Sequence, residues 1–144
     1  MPLTRIAVPV HLSPALTIAL ADAVHEGLVA TCNVPVNDRF QLISRFEPAD
    51  MLIDPSFPNV ARTAAASIVE ITFLQGRSPG QKRALYERIV SLAVAAGLVA
   101  DDLMIALTEN AAIDWSMGRG EAYAEHTVSK LGWHQADMSG FGRC

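Results

Sequence analysis

The sequence predicts an α/β fold: a four-stranded sheet with two helices on one face, built from a duplicated β-α-β unit. Three observations carry that reading. Short apolar runs rich in β-branched residues stand at Leu3 to Val10 and again at Ser67 to Leu74, as strands do. Each run is followed by a serine and a proline, Ser13 with Pro14 and Ser78 with Pro79, the cap and first-turn residues of a helix. Beyond each pair come an amphipathic stripe, a stop residue and a returning apolar run. Strand, helix and parallel strand form a right-handed crossover. Two such units fit one sheet with both helices on the same side, a two-layer sandwich.

The first unit covers about residues 2–45. After the opening strand, Ile18, Ala21, Val24, Leu28 and Val29 recur at helical intervals and form the buried stripe. Asn33 stops this helix, and Phe40 to Arg45 reads as the second strand after a polar turn. A turn-rich stretch with Pro48, Pro55 and Pro58 follows, in which Met51 to Ile53 is expected to pair as a hairpin with Phe40 to Arg45. The second unit, about residues 66–108, repeats the order. Leu85, Ile89, Leu92, Ala93 and Ala96 form its stripe, Gly97 its stop, and Leu103 to Leu107 its returning strand. Asp101 and Asp102 fall where Asn37 and Asp38 fall in the first unit. Cap, stripe, stop and strand agree, which is stronger than any one of them. Ala122 to Leu131 reads as a short helix. The tail, residues 132–144, carries Trp133 and Phe141, and either docks on a neighbouring subunit or frays.

With 144 residues the chain is read as one domain that buries its own core. Its 51% apolar and 18% charged residues exclude a disordered chain. A net charge of −4 gives no basic footprint for nucleic acid or an anionic membrane. Cys32 and Cys144 lack disulfide or metal-ligand spacing, and His11, His25, His126 and His134 have no partners at zinc spacing. No metal and no cofactor are expected. There is no signal-peptide pattern and no uninterrupted apolar run of about eighteen residues, so a cytoplasmic protein is expected. The sheet face opposite the helices is left uncovered, and a second copy of the chain is the expected cover.

The chemistry concentrates at Pro2. Once Met1 is removed, Pro2 carries a free secondary amine whose reference pKa of about 8 lies within reach of neutrality. Such an amine can take a proton from carbon beside a carbonyl and return it elsewhere. The equivalent place in the second unit, near Ala66 and Ser67, is mid-chain and holds an amide, so one catalytic amine per chain is expected. Arg77 lies between a strand and a capped helix, where it can bind a carboxylate with paired hydrogen bonds or stand as an ordinary surface arginine. Asp38 can orient a water or bond the amine, while Arg39 can be a second carboxylate ligand or an interface ion pair. Trp115 can wall a pocket, plug an interface or join the core.

Four segments carry a resemblance: the Met-Pro start, NDRFQ at Asn37 to Gln41, GRSPGQK at Gly76 to Lys82, and TENAAIDWSMGRG at Thr108 to Gly120. With the duplicated unit, they resemble the long-chain members of the tautomerase superfamily, the group of malonate semialdehyde decarboxylase and its related tautomerases. That resemblance implies a trimer, Pro2 as the catalytic group, Arg77 on the substrate carboxylate, Asp38 beside the proline, and Trp115 in a hydrophobic wall. Two places depart from the decarboxylase. Gln75 stands where it has a further arginine, and Met117 where it has an aromatic residue, so both substrate-binding positions weigh against decarboxylation. The implied activity is keto–enol tautomerisation of a small carboxylate-bearing 2-oxo acid by Pro2. The alternatives are a lyase or hydratase of the decarboxylase type, with Pro2 protonated, and a non-catalytic trimeric binding protein.

Overall fold

The computed structural model describes residues 1–125. Six main elements follow in order: β1 (Pro2–Pro9), α1 (Pro14–Cys32), β2 (Phe40–Phe46), β3 (Ser67–Leu74), α2 (Pro79–Ala96) and β4 (Leu103–Asn110). The caps form as the serines dictate. Ser13 Oγ accepts the amide of Leu16 at 3.1 Å. Ser78 and Gln81 bond each other reciprocally, side chain to backbone amide, in a capping box. Both helices stop on a left-handed residue, Asn33 at φ 52° and Gly97 at φ 114°.

The sheet runs in the order β2-β1-β3-β4. Within each unit the strands are parallel, and the two units join through an antiparallel β1–β3 pair. Alternation along the central strands buries Thr4, Ile6 and Val8 from β1 and Val69, Ile71 and Phe73 from β3. These pack beneath Leu20, Val24 and Leu28 of α1 and Leu85 and Ile89 of α2. The helices touch closely at Gly27, where an added Cβ would lie 2.8 Å from Ile89 Cγ1. Helix α1 has the length and apolar composition of a membrane span, but half of it is buried inside this fold. It reads as a core helix.

The duplication can be traced residue by residue. β1 and β3 are equal in length and bury the same steps, so Pro2 corresponds to Ser67 and Pro9 to Leu74. Leu3 pairs with Phe40 and Ile68 with Met104, which sets Asp38 against Asp102, each two residues earlier. The repeat runs further than the sequence suggested. Short 3-10 turns, Pro48–Asp50 and Ala112–Asp114, begin two residues after β2 and β4 respectively.

That turn corrects the expected hairpin. Residues 51–53 form no strand. Pro48 lacks an amide to donate and turns the chain away from β2, so the segment leaves the sheet instead of pairing with it. It belongs to a linker that packs against the start of β4, where Asp101 accepts the amide of Ala61 at 2.9 Å. Of the expected helix over Ala122 to Leu131, Tyr123–Glu125 is a 3-10 turn. The rest, with the tail, His126, His134 and Cys144, lies outside the described residues.

Candidate active site

One end of the sheet gathers the start of β1, the end of β3, the end of β4 and the turn before β2. Pro2 lies opposite Phe73 in the antiparallel pair. From Leu74 the chain turns through Gly76, at φ 119°, to reach Arg77. The turn is pinned on both sides. The Gln75 amide donates to the Asn110 carbonyl at 2.8 Å, and the Gly76 amide to Glu109 Oε2 at 3.2 Å. Glu109 also pairs with Lys82 in the first turn of α2. That ammonium, and then the Gly76 amide, hold the Glu109 carboxyl below its ordinary range.

Arg77 is only 5% exposed. Its guanidinium donates to the Leu74 carbonyl at 2.6 Å and the Cys32 carbonyl at 3.5 Å, and it stacks over the Phe73 ring at 4.8 Å. Its Nε is buried without a partner. Among the described residues no carboxylate lies within ion-pair distance of it. Glu109 feels its charge only from beyond that distance, so the buried cation has no carboxylate in contact among the described residues, and an incoming anion would supply one.

Asp38 is brought in by a tight turn, its amide donating to the Pro35 carbonyl at 3.0 Å. The amine of Met1 lies 3.3 Å from Asp38 Oδ2, yet neither carboxylate oxygen accepts a well-aligned hydrogen bond. The contrast with its counterpart is informative. Asp102 is saturated, receiving the Thr63 amide on one oxygen and the Thr63 hydroxyl on the other, both at 2.6 Å. The same residue is structural at one end of the sheet and unsatisfied at the other.

The Met1 side chain is fully buried, packed with Leu74 and Tyr123 and walled by Ala112, Trp115 and Met117. Trp115 is held by its indole N–H, which donates to Asn110 Oδ1 at 2.6 Å, and by the Tyr123 amide on its carbonyl at 2.8 Å. On the other side of Trp115 and Met117 lies a cleft of about 440 Å³, which also borders Leu3 and Phe40 on the open sheet face. Burial, and then the nearby charge of Asp38, push the Tyr123 phenol above its ordinary range.

The structure thus brings Pro2, Asp38, Arg77, Trp115 and Met117 to one end of the sheet. It does not bring Arg39 there: that side chain is exposed and bonds Asp22 at 2.7 Å and Gln41 at 2.9 Å. Gln75 is exposed and contributes its backbone to the turn. Sequence reasoning missed Tyr123, which it placed at the start of a helix, and Phe73, which it placed in a strand without singling it out. Among the described residues no cluster of three potential metal ligands occurs.

A family model described as tautomerase enzyme matches residues 38–118. The chain belongs to this tautomerase family. The matched span includes Asp38, Arg77, Trp115 and Met117; Tyr123 lies just beyond its end and Pro2 well before its start. YusQ of Bacillus subtilis strain 168, described as a probable tautomerase, is 35% identical over 104 residues, which is 72% of this chain and 82% of the relative. Malonate semialdehyde decarboxylase FG41, solved with 3-bromopropiolate as inhibitor, superposes with a TM-score of 0.79 at 31% identity, covering 90% of this chain and 95% of that one. Another malonate semialdehyde decarboxylase, solved in wild-type, mutant and inactivated forms, gives a TM-score of 0.77 at 30% identity over 83% of this chain and 93% of its own. These similarities extend the tautomerase fold over both repeats.

Proposed function

We propose that this tautomerase-family chain interconverts the keto and enol forms of a small 2-oxo acid, with the amine of Pro2 as acid and base after removal of Met1. The observation that carries this reading is the setting of Met1. Its side chain fills an enclosed site against Trp115, Met117 and Tyr123, and its amine faces a carboxylate that has no hydrogen-bond partner. Removing that residue vacates a volume of small-metabolite size and leaves the chain's amine at its inner end. Arg77 receives the substrate carboxylate. Pro2 takes a proton from the carbon beside the carbonyl, the electron pair moves to oxygen as the enolate, and that oxygen gains a proton from water. The reverse sequence restores the ketone.

A lyase of the decarboxylase kind is favoured by one observation: Asp38 beside the amine stabilises its charged form, which a general acid needs. Gln75 in place of the further arginine weighs the other way. Processed protein, its mass verified, should convert a small enol-form 2-oxo acid to its keto form, with a rate that rises as the amine loses its proton. Protein with Met1 retained should be inactive, because Pro2 nitrogen is then a tertiary amide. Equal activity of the two forms would remove Pro2 from the mechanism.

A further inference from the structure

The duplication repeats most of the walls around Met1, though not Tyr123, at the other end of the sheet, and a pocket of about 210 Å³, open on its outer side, stands there. Five of its lining residues have counterparts around Met1, and His11, Thr63 and Ala64 complete the lining. Pro48, Met51 and Ile53 stand where Ala112, Trp115 and Met117 wall Met1, because both sets follow their strand by the same number of residues. Pro9 takes the place of Leu74. Ala66 takes the place of Met1 itself, and a single methyl group leaves empty what the methionine side chain fills at the first end.

The charges do not carry over. Leu12 occupies the position of Arg77, one residue before the helix cap. The nitrogen of Ser67 is an amide, bonded on both sides into the chain. Asp102 is already saturated by Thr63, whose hydroxyl donates to that carboxylate and accepts the Ala65 amide at 3.1 Å. Among the described residues no lysine or arginine lines the cavity, and His11 at its rim is the one titratable side chain lining it.

We propose that this second cavity is a binding site for a small uncharged ring-bearing molecule with one hydrogen-bonding group directed at His11. An enclosed apolar cavity of about 150 Å³ holds benzene, and this pocket, about 210 Å³ and open on one side, has room for a ring with one substituent reaching its rim. Among the described residues an anion finds no lysine or arginine lining this pocket. The two sites therefore differ in ligand class: a carboxylate at the first, a neutral molecule at the second. This inference is independent of the role of Pro2.

The chain's methionines supply separate reporters, with Met51 in the second cavity, Met117 at the first site and Met104 on the open sheet face. Phenol, added to the full chain with carbon-13-labelled methionine methyls, should shift the Met51 resonance saturably. Benzoate should leave Met51 unmoved. Ala64→Trp, an exposed rim position, should abolish the Met51 shift while Met104 keeps its resonance. His11→Leu should weaken phenol binding several-fold and leave benzene binding unchanged. A Met51 methyl that does not respond to phenol, responds equally to benzoate, or still responds in folded Ala64→Trp protein overturns the proposal. Should Ala64→Trp disturb Met104, the His11→Leu comparison of phenol with benzene decides.

Discussion

Asp38 and Asp102 occupy equivalent positions two residues ahead of a strand pair, and their partners separate their roles. Asp102→Asn discards charge-assisted bonds to Thr63, so it should destabilise the fold by about 1–3 kcal/mol in denaturant unfolding, with little change in turnover per folded molecule. Asp38→Asn leaves the chain's amine without its carboxylate partner, so turnover should fall, and the amine should lose its proton at lower pH in the variant. The Asp38 variant has a second readout. Without that charge, the Tyr123 phenol should ionise at lower pH in an ultraviolet titration. Arg77→Ala should cost on the order of 2–4 kcal/mol in kcat/KM, with Arg119→Ala, on an exposed turn, as the comparison. Equal losses for the two would take Arg77 out of the site. At this scale the motifs singled out Pro2, Asp38, Arg77, Trp115 and Met117, and the fold gathers these five at one end of the sheet. Tyr123 was illegible because its value comes from a chain reversal that sets its phenol near Asp38. Arg39 is next to Asp38 in sequence, but within the chain it pairs with Asp22.

Among the elements, the strands and helices followed from capping and alternation, because serine–proline starts and left-handed stops act locally. The 3-10 turns after β2 and β4 have no such periodicity, so the repeat seemed shorter and Met51 to Ile53 seemed a strand. One of these elements is held by charge. Glu109 on β4 clamps Lys82 of α2 and the amide of Gly76, fixing the turn that delivers Arg77. Its carboxyl is depressed in the folded state, so the clamp contributes stability above the ordinary glutamate range and loses it as pH falls through the depressed value. The melting temperature of the wild type should therefore fall on acidification below about pH 5, and Glu109→Gln should flatten that fall. A matching acid slope in the variant would assign the loss to other carboxylates, such as Asp54, which the amides of Ser56 and Phe57 hold low.

The whole molecule presents an unfinished surface. Away from the helices the sheet exposes Phe40, Leu42 and Met104, each about half accessible, with Leu3 and Ile68 between them. In the middle of this apolar face Arg5 stands directly opposite Glu70, and both are exposed. A monomer gains nothing from a contiguous apolar face of this kind, whereas an assembly buries it and gives the two central charges partners. The 440 Å³ cleft also opens onto this face through Leu3 and Phe40, so assembly would close the outer wall of the candidate site. The face calls for assembly, and the resemblance to the tautomerase superfamily implies a homotrimer with one site per chain, so light scattering at micromolar concentration should give three times the 15.5 kDa of the chain. Leu42→Glu adds a charge to the face without touching the cluster around Met1, and should shift the protein towards monomer while its circular dichroism stays helical. Turnover per chain should fall with dilution in this variant, in step with the loss of mass. A wild type that remains monomeric at micromolar concentration, with full activity, would leave the face unexplained and the site complete within one chain.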